Sequence, residues 1–241
     1  MTGLEIRGVK PGLLLDEPLL LAATGEQLFW RARYRDDDSR VWRARAERAE
    51  NLLAALEPAK PSSGPIAALQ SLRPVRIDVR VEAPDGRAAG RPVTRRLVAD
   101  GVRLRRWRDG DLVATLHLPA PGDEPHPTLV VDASAGPHEA IVAGLAGPLL
   151  ASRGILVLTV AAGSLEAARE RLAAVPGARE EPLVLAAHPP GGHDPASDTV
   201  SLPPGVGTRG EREGATGQRA AAWDSLLARL GAASRQPGRS A

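Results

Sequence analysis

The first half of the chain alternates apolar and polar positions over short stretches. From Val75 to Glu82 the period is two throughout: Val75, Ile77, Val79 and Val81 fall on one face, and Arg76, Asp78, Arg80 and Glu82 on the other. That is the pattern of a strand with one buried and one wet face. Leu28 to Tyr34, Val102 to Trp107 and Leu112 to Leu118 repeat it, and Asp109-Gly110 between the last two is a hairpin signal. Ala44 to Leu56 reads as a short helix that ends at Pro58, before the loop composition of Pro61-Ser62-Ser63-Gly64-Pro65. Short alternating strands separated by turn residues predict an antiparallel β-sandwich, immunoglobulin-like, over residues 1–118.

Pro119 to Pro127 carries four prolines and interrupts the pattern. Beyond it the apolar runs are continuous rather than alternating: Thr128 to Asp132, Gly154 to Val160 and Leu183 to Ala187. Such runs suit strands buried on both faces. Helical stretches at Glu139–Ser152, Ser164–Val175 and Ala220–Leu230 lie between or after them, with Ser164 placed to cap the second. Asp198 to Thr216 reads as a Gly- and Pro-rich loop. Alternation of strand and helix predicts an α/β domain with a parallel sheet over residues 119–241.

Composition narrows the chemistry. The hydrophobic share of 43% and charged share of 25% are those of a globular chain. The absence of cysteine removes disulfides, thiolate metal sites and a cysteine nucleophile. The 31 basic and 29 acidic residues nearly balance, and Lys10 and Lys60 are the only lysines. That arginine bias, with abundant Ala, Gly and Pro, suits a GC-rich coding sequence. No face-concentrated basic stripe is evident, and the six aromatic residues are few and scattered, so a nucleic-acid partner is not expected. No secretory pattern opens the chain, and Pro148 and Arg153 break its most apolar region, so a cytoplasmic protein without a membrane span is expected.

Gly101 to Pro119 resembles the segment by which members of the acyl-CoA thioesterase / bile acid-CoA:amino acid N-acyltransferase family leave their N-terminal domain. Thr128 to Val160 resembles the first buried strand, helix and next strand of that family's α/β-hydrolase domain. Pro190-Gly191-Gly192-His193 resembles its histidine loop, and Gly214-Ala215-Thr216 with Ala220 to Trp223 its closing helix. The resemblance implies attack on the acyl carbonyl of a fatty acyl-CoA, with transfer to water or an amine. It also implies His193 as general base, and backbone amides of Ser134, Ala135 and Gly136 as an oxyanion hole. No cofactor and no metal are expected.

Family members carry the nucleophile on a sharp strand-to-helix turn, Gly-x-Ser-x-Gly or a cysteine variant. This chain has neither. In one register, the stretch bearing nucleophile and acid is cut out between Ile155–Val160 and Gly163–Leu172, and the hydrolase domain is reduced. In another, Ala187-His188-Pro189-Pro190-Gly191-Gly192 is the elbow itself with proline in place of serine; the first is preferred, because the Gly-rich stretch and the Trp223 helix then follow in family order. Ser134, in Asp132-Ala133-Ser134-Ala135-Gly136, is an alternative nucleophile, although it or Asp132 also suits a helix N-cap. Asp194 and Asp198 lie too close to His193 in sequence to orient it. Asp36-Asp37-Asp38 lacks the alternating ligands of a calcium loop, and His126, His138 and His193 lack metal-ligand spacing. Arg103, Arg105 and Arg106 could meet coenzyme A phosphates or form a solvated face. Loss of the nucleophile would leave a catalytically inactive relative that binds a partner or ligand.

Overall fold

The computed structural model describes residues 4–8, 12–17, 20–35, 41–48, 57–58, 73–122, 125–187, 199–200 and 215–231. The chain is a mixed α/β protein of several sheets, with many strands and few helices.

The first compact unit runs to Leu97. It contains β1 (Ile6–Arg7), β2 (Leu13–Leu14), β3 (Ala22–Ala23), β4 (Phe29–Arg35), β5 (Val41–Ala46), β6 (Glu57–Pro58), β7 (Val75–Glu82) and β8 (Ala88–Arg96). Six of these form one sheet in the order β2-β8-β7-β4-β5-β6, antiparallel except for the β2–β8 pair; β1 and β3 form a separate ribbon. The period-two pattern decides which face is dry. Trp30, Ala32 and Tyr34 of β4, Ala44 of β5, Ile77, Val79 and Val81 of β7 and Val93 of β8 pack together, with Ile6 of the ribbon against them. Burying a side chain of this size contributes about 1.5–3 kcal/mol. The segment expected to be a helix from Ala44 begins instead inside β5. Cross-strand pairing with β4, from Arg35↔Val41 to Trp30↔Ala46, overrides the local helix preference of its alanines.

The opposite face of this sheet corrects the expectation that no basic stripe exists. Arg31, Arg33, Arg43, Arg45, Arg76 and Arg80 all project from it and are exposed. Spread over three strands, they look scattered along the chain; antiparallel pairing collects them.

Within the described residues the second unit begins at Val98, earlier than the division expected at 118/119. It contains β9 (Arg103–Asp109), β10 (Leu112–Leu118), β11 (Thr128–Asp132), α1 (Pro137–Ala151), β12 (Leu156–Ala162), α2 (Leu165–Ala173), β13 (Leu183–Ala187), β14 (Thr199–Val200) and, from Gly217 on, α3 (Ala215–Arg229). The sheet order is β14-β13-β11-β12-β10-β9. The β9–β10 hairpin belongs to this sheet because β10 pairs antiparallel with β12 from Val113↔Ala162 to His117↔Val157. The Pro-rich segment therefore joins two strands of one sheet. In the hairpin, Asp109 faces Leu112 and Gly110 has φ +55, so Gly110-Asp111 is the two-residue loop, with glycine at the first central position. β14 lies within the stretch expected to be loop, in parallel register with β13 through Ala186↔Thr199.

Leu112, Ala114, Leu116, Val130, Leu156 and Leu158 form one face of the sheet, with Ala168 and Leu172 of α2 packed on it. Ser164 caps α2 as expected, accepting from the Glu166 and Ala167 amides at 3.2 and 3.5 Å. Gly163 makes that turn possible. Its φ is +98, and a Cβ there would lie 2.7 Å from the Leu112 Cα.

Candidate functional site

β11, β12, β13 and β14 run parallel. The chain leaving β11 passes through α1 to β12, whereas β13 lies on the other side of β11 and leads away to β14. A crevice opens at the carboxyl ends of neighbouring parallel strands where connections diverge in this way, the usual ligand position in open α/β sheets. On the β11 side the turn Asp132 to Gly136 follows that carboxyl end. On the β13 side the chain continues into residues 188–198, so His188, His193, Asp194 and Asp198 lie outside the described residues, as do Asp36 to Asp38.

Ser134 sits at this edge, exposed, in a turn closed by Asp132. The Ser134 hydroxyl donates to Asp132 Oδ1 at 2.7 Å, and the Ser134 amide donates to the same oxygen at 3.0 Å. Both bonds to one carboxylate oxygen close an Asx-type turn, and among the described residues no histidine stands beside the hydroxyl, so this pair builds the turn rather than an activated nucleophile. The Ser134 amide, one of the three expected oxyanion donors, is thereby engaged. α1 is not capped by Ser134 or Asp132: its N-cap is Gly136, without a side-chain cap bond. Glu139 supplies the first-turn charge, with Oε2 only 3.0 Å from where a Gly136 Cβ would stand. Two carboxylates, Asp132 and Glu139, thus flank the helix N-terminus. They complement the helix dipole and oppose an oxyanion or phosphate there.

Arg103, Arg105 and Arg106 are exposed on the edge strand β9. Unbroken pairing with β10 sends Arg103 and Arg105 to one face and Arg106 to the other, so the three do not converge on one anion. At the amino-terminal edge of the sheet, a cleft of ≈ 310 Å³ is lined by residues including Asp100, His126, Ser152 and Arg153. Its serine is already committed: the Ser152 hydroxyl donates to the Pro148 carbonyl at 2.7 Å and accepts from the Ala99 amide at 2.8 Å. Among the described residues, no cluster of acidic residues and histidines could hold a metal ion, and no helix is long and apolar enough to cross a membrane.

The histidine that sequence reasoning passed over is His117 on β10, 3% exposed. Its ring lies against α1, where a Cβ on Gly147 would stand 2.6 Å from Nε2. Thr159 Oγ1 lies 3.4 Å from Nε2 and donates to the Thr115 carbonyl at 3.2 Å; Nδ1 has no hydrogen-bond partner among the described residues. Burial pushes the imidazole pKa down to about 4, so it is neutral at neutral pH. The signal was the pairing of a strand histidine with the glycines of a following apolar helix. Because the ring is pinned between α1 and β12, Gly147→Ala is expected to cost about 1–3 kcal/mol through overpacking. Urea unfolding checks this, and combining it with His117→Ala should recover part of the loss, as coupled contacts do.

No protein-family model matches the chain, and no curated protein matches it. Among solved structures, a hypothetical protein from Pseudomonas aeruginosa is similar over 37% of this chain and 36% of its own, at 20% identity and a TM-score of 0.29. The chain thus spans about a third of that protein's length, and at this level of likeness the function is argued from the chain's own residues.

Proposed function

We propose that the chain is a catalytically silent relative of the acyl-CoA thioesterase/acyltransferase proteins that acts by binding. In this reading the first unit is the immunoglobulin-like sandwich, with the β1–β3 ribbon in place of a full second sheet, and the second unit is an α/β-hydrolase-type sheet. The observation that carries the reading is the strand order. Counted from β9, the strands lie first, second, fourth, third, fifth and sixth, with the second antiparallel to its neighbours. That is the order of the opening strands of an α/β-hydrolase sheet, and it makes β13 the fifth strand.

The elbow follows the fifth strand in that fold, on a sharp strand-to-helix turn. The residues after Ala187 are His188-Pro189-Pro190-Gly191-Gly192. This favours the register in which Pro189 replaces the nucleophile over the register in which a segment was cut out, because β12, α2 and β13 follow without a missing strand. Proline has no hydroxyl or thiol to attack a thioester. The acid-flanked turn at Ser134 offers no substitute, and in this register His193 directly follows the elbow and is not the family's base.

Palmitoyl-CoA incubated with the full chain and a thiol reagent is expected to release coenzyme A at the rate of the protein-free blank. Binding of palmitoyl-CoA, read by tryptophan fluorescence, identifies the retained ligand. The alternative is an active thioesterase with His193 as base and Ser134 as nucleophile. Turnover abolished by His193→Ala or Ser134→Ala establishes that reading and removes the one proposed.

A further inference from the structure

We propose that the arginine face of the first unit's sheet docks the phosphate backbone of a single-stranded nucleic acid. The inference does not depend on the reading of the second unit. On this face Arg31 stands directly opposite Arg45 on one side and Arg80 on the other; in the next row Arg33 stands opposite Arg43 on one side and Asp78 on the other, and Arg43 also stands opposite Glu57 of β6. Like charges directly opposite one another on a sheet oppose folding. The acids among the described residues that the register places on this face of β4, β5, β6 and β7 are Asp78, Glu82 and, on the edge strand β6, Glu57. Glu82 is shared between Arg31 at 2.9 Å and Arg80 at 3.0 Å, while Asp78 meets Arg76 at 3.5 Å. Composition bias accounts for arginine over lysine. It does not account for opposed pairs of arginines collected on one exposed face.

The geometry selects the occupant. Neighbouring strands lie about 4.8 Å apart and alternate residues about 6.7 Å apart, so the guanidinium groups project from a regular grid. A nucleic-acid strand presents one anion per nucleotide at regular spacing, and a guanidinium grips phosphate through two parallel hydrogen bonds. At the margin of the grid, Phe29 is 39% exposed, with the Arg45 guanidinium 5.5 Å from its ring centroid. An exposed ring beside arginines offers a base something to stack on, which an acidic peptide does not use. A second copy of the same face is repelled by its charge.

The test is fluorescence anisotropy of the full chain with a labelled oligothymidylate of about 20 nucleotides. If four phosphates are neutralised, at about 0.7 in log–log slope each, affinity falls roughly 50-fold between about 50 mM and about 200 mM salt. The Arg33→Gln/Arg43→Gln variant is expected to bind at least about tenfold more weakly at the lower salt and to lose about half the slope. Its circular dichroism and its unfolding cooperativity should be unchanged, because both side chains are exposed and the substitution removes one like-charge pairing together with the pairings to Asp78 and Glu57. No binding at the lower salt overturns the proposal, as does a slope unaffected by the double substitution. Polyglutamate competing as well as the oligonucleotide assigns the face to an acidic protein and also overturns it.

Discussion

Arg95→Met is expected to destabilise the first unit by about 3–5 kcal/mol, the cost of removing one partner from a buried charged cluster. Arg95 lies on β8 with no exposed surface. One of its terminal nitrogens, Nη2, donates to the Leu15 carbonyl at 3.1 Å and also to the Glu17 carbonyl. Burial lowers its pKa to about 10, against the raising effect of the Glu17 and Asp16 carboxylates, so it keeps its charge at neutral pH. The guanidinium holds the turn after β2, whose backbone also joins β8 through the Leu15 amide and the Arg96 carbonyl at 2.8 Å. Methionine fills much of the volume. It leaves two carbonyls without a donor and the nearby carboxylates without a counter-charge. Arg95→Lys is expected to restore only part of the loss, since the ammonium is more strongly hydrated, and so costs more to bury, and leaves the rest of the guanidinium's volume unfilled. Guanidinium unfolding measures both variants. A loss below about 1 kcal/mol for Arg95→Met would show that this arginine's desolvation offsets its bonds.

Acidification is expected to destabilise the second unit through His117. Its ordinary pKa of about 6.5 applies to the unfolded chain, and burial lowers the folded value to about 4. Between these values the unfolded chain takes up a proton that the folded core refuses, so stability falls as pH falls through that window. The loss amounts to about 2 kcal/mol from about pH 7 to about pH 5, and to about 3 kcal/mol once pH reaches about 4. Above about pH 7.5 this residue contributes almost no slope. His117→Leu is expected to flatten the dependence over the same window. Urea unfolding of both proteins across that range reads the difference; equal slopes would mean that the ring is hydrated or paired when folded.

Much of the local structure was legible along the chain. β7, β10, β11 and β13 begin and end where the apolar patterns do, because their side chains alternate or run continuously in register with the faces they bury. Ser164 capping α2 and the turn at Gly110 were equally local, since both depend on neighbouring residues only. Ala44 to Ala46, the start of the expected helix, close β5 instead, because their helix preference yields once β4 pairs with them; residues 49–56 of that expected helix lie outside the described residues. β8 and β14 escaped for a related reason. Gly90 and Pro92 blur the pattern of β8, and β14 is two residues long in a stretch rich in glycine and proline.

The candidate site divides in the same way. The lack of a Gly-x-Ser-x-Gly turn and of any cysteine is a property of the residues alone, and no folding changes it. The turn that binds Ser134 to Asp132 is likewise a matter of neighbours two positions apart. Long-range pairing alone decided the rest: that β9 and β10 join the second sheet, that His117 is sealed beneath Gly147, and that Arg95 is buried over the turn after β2. It also decided that arginines from three separate strands share one face. Periodicity tells each strand which residues share a face, but not which strands will lie beside it; that is settled when distant segments pair and exclude water together.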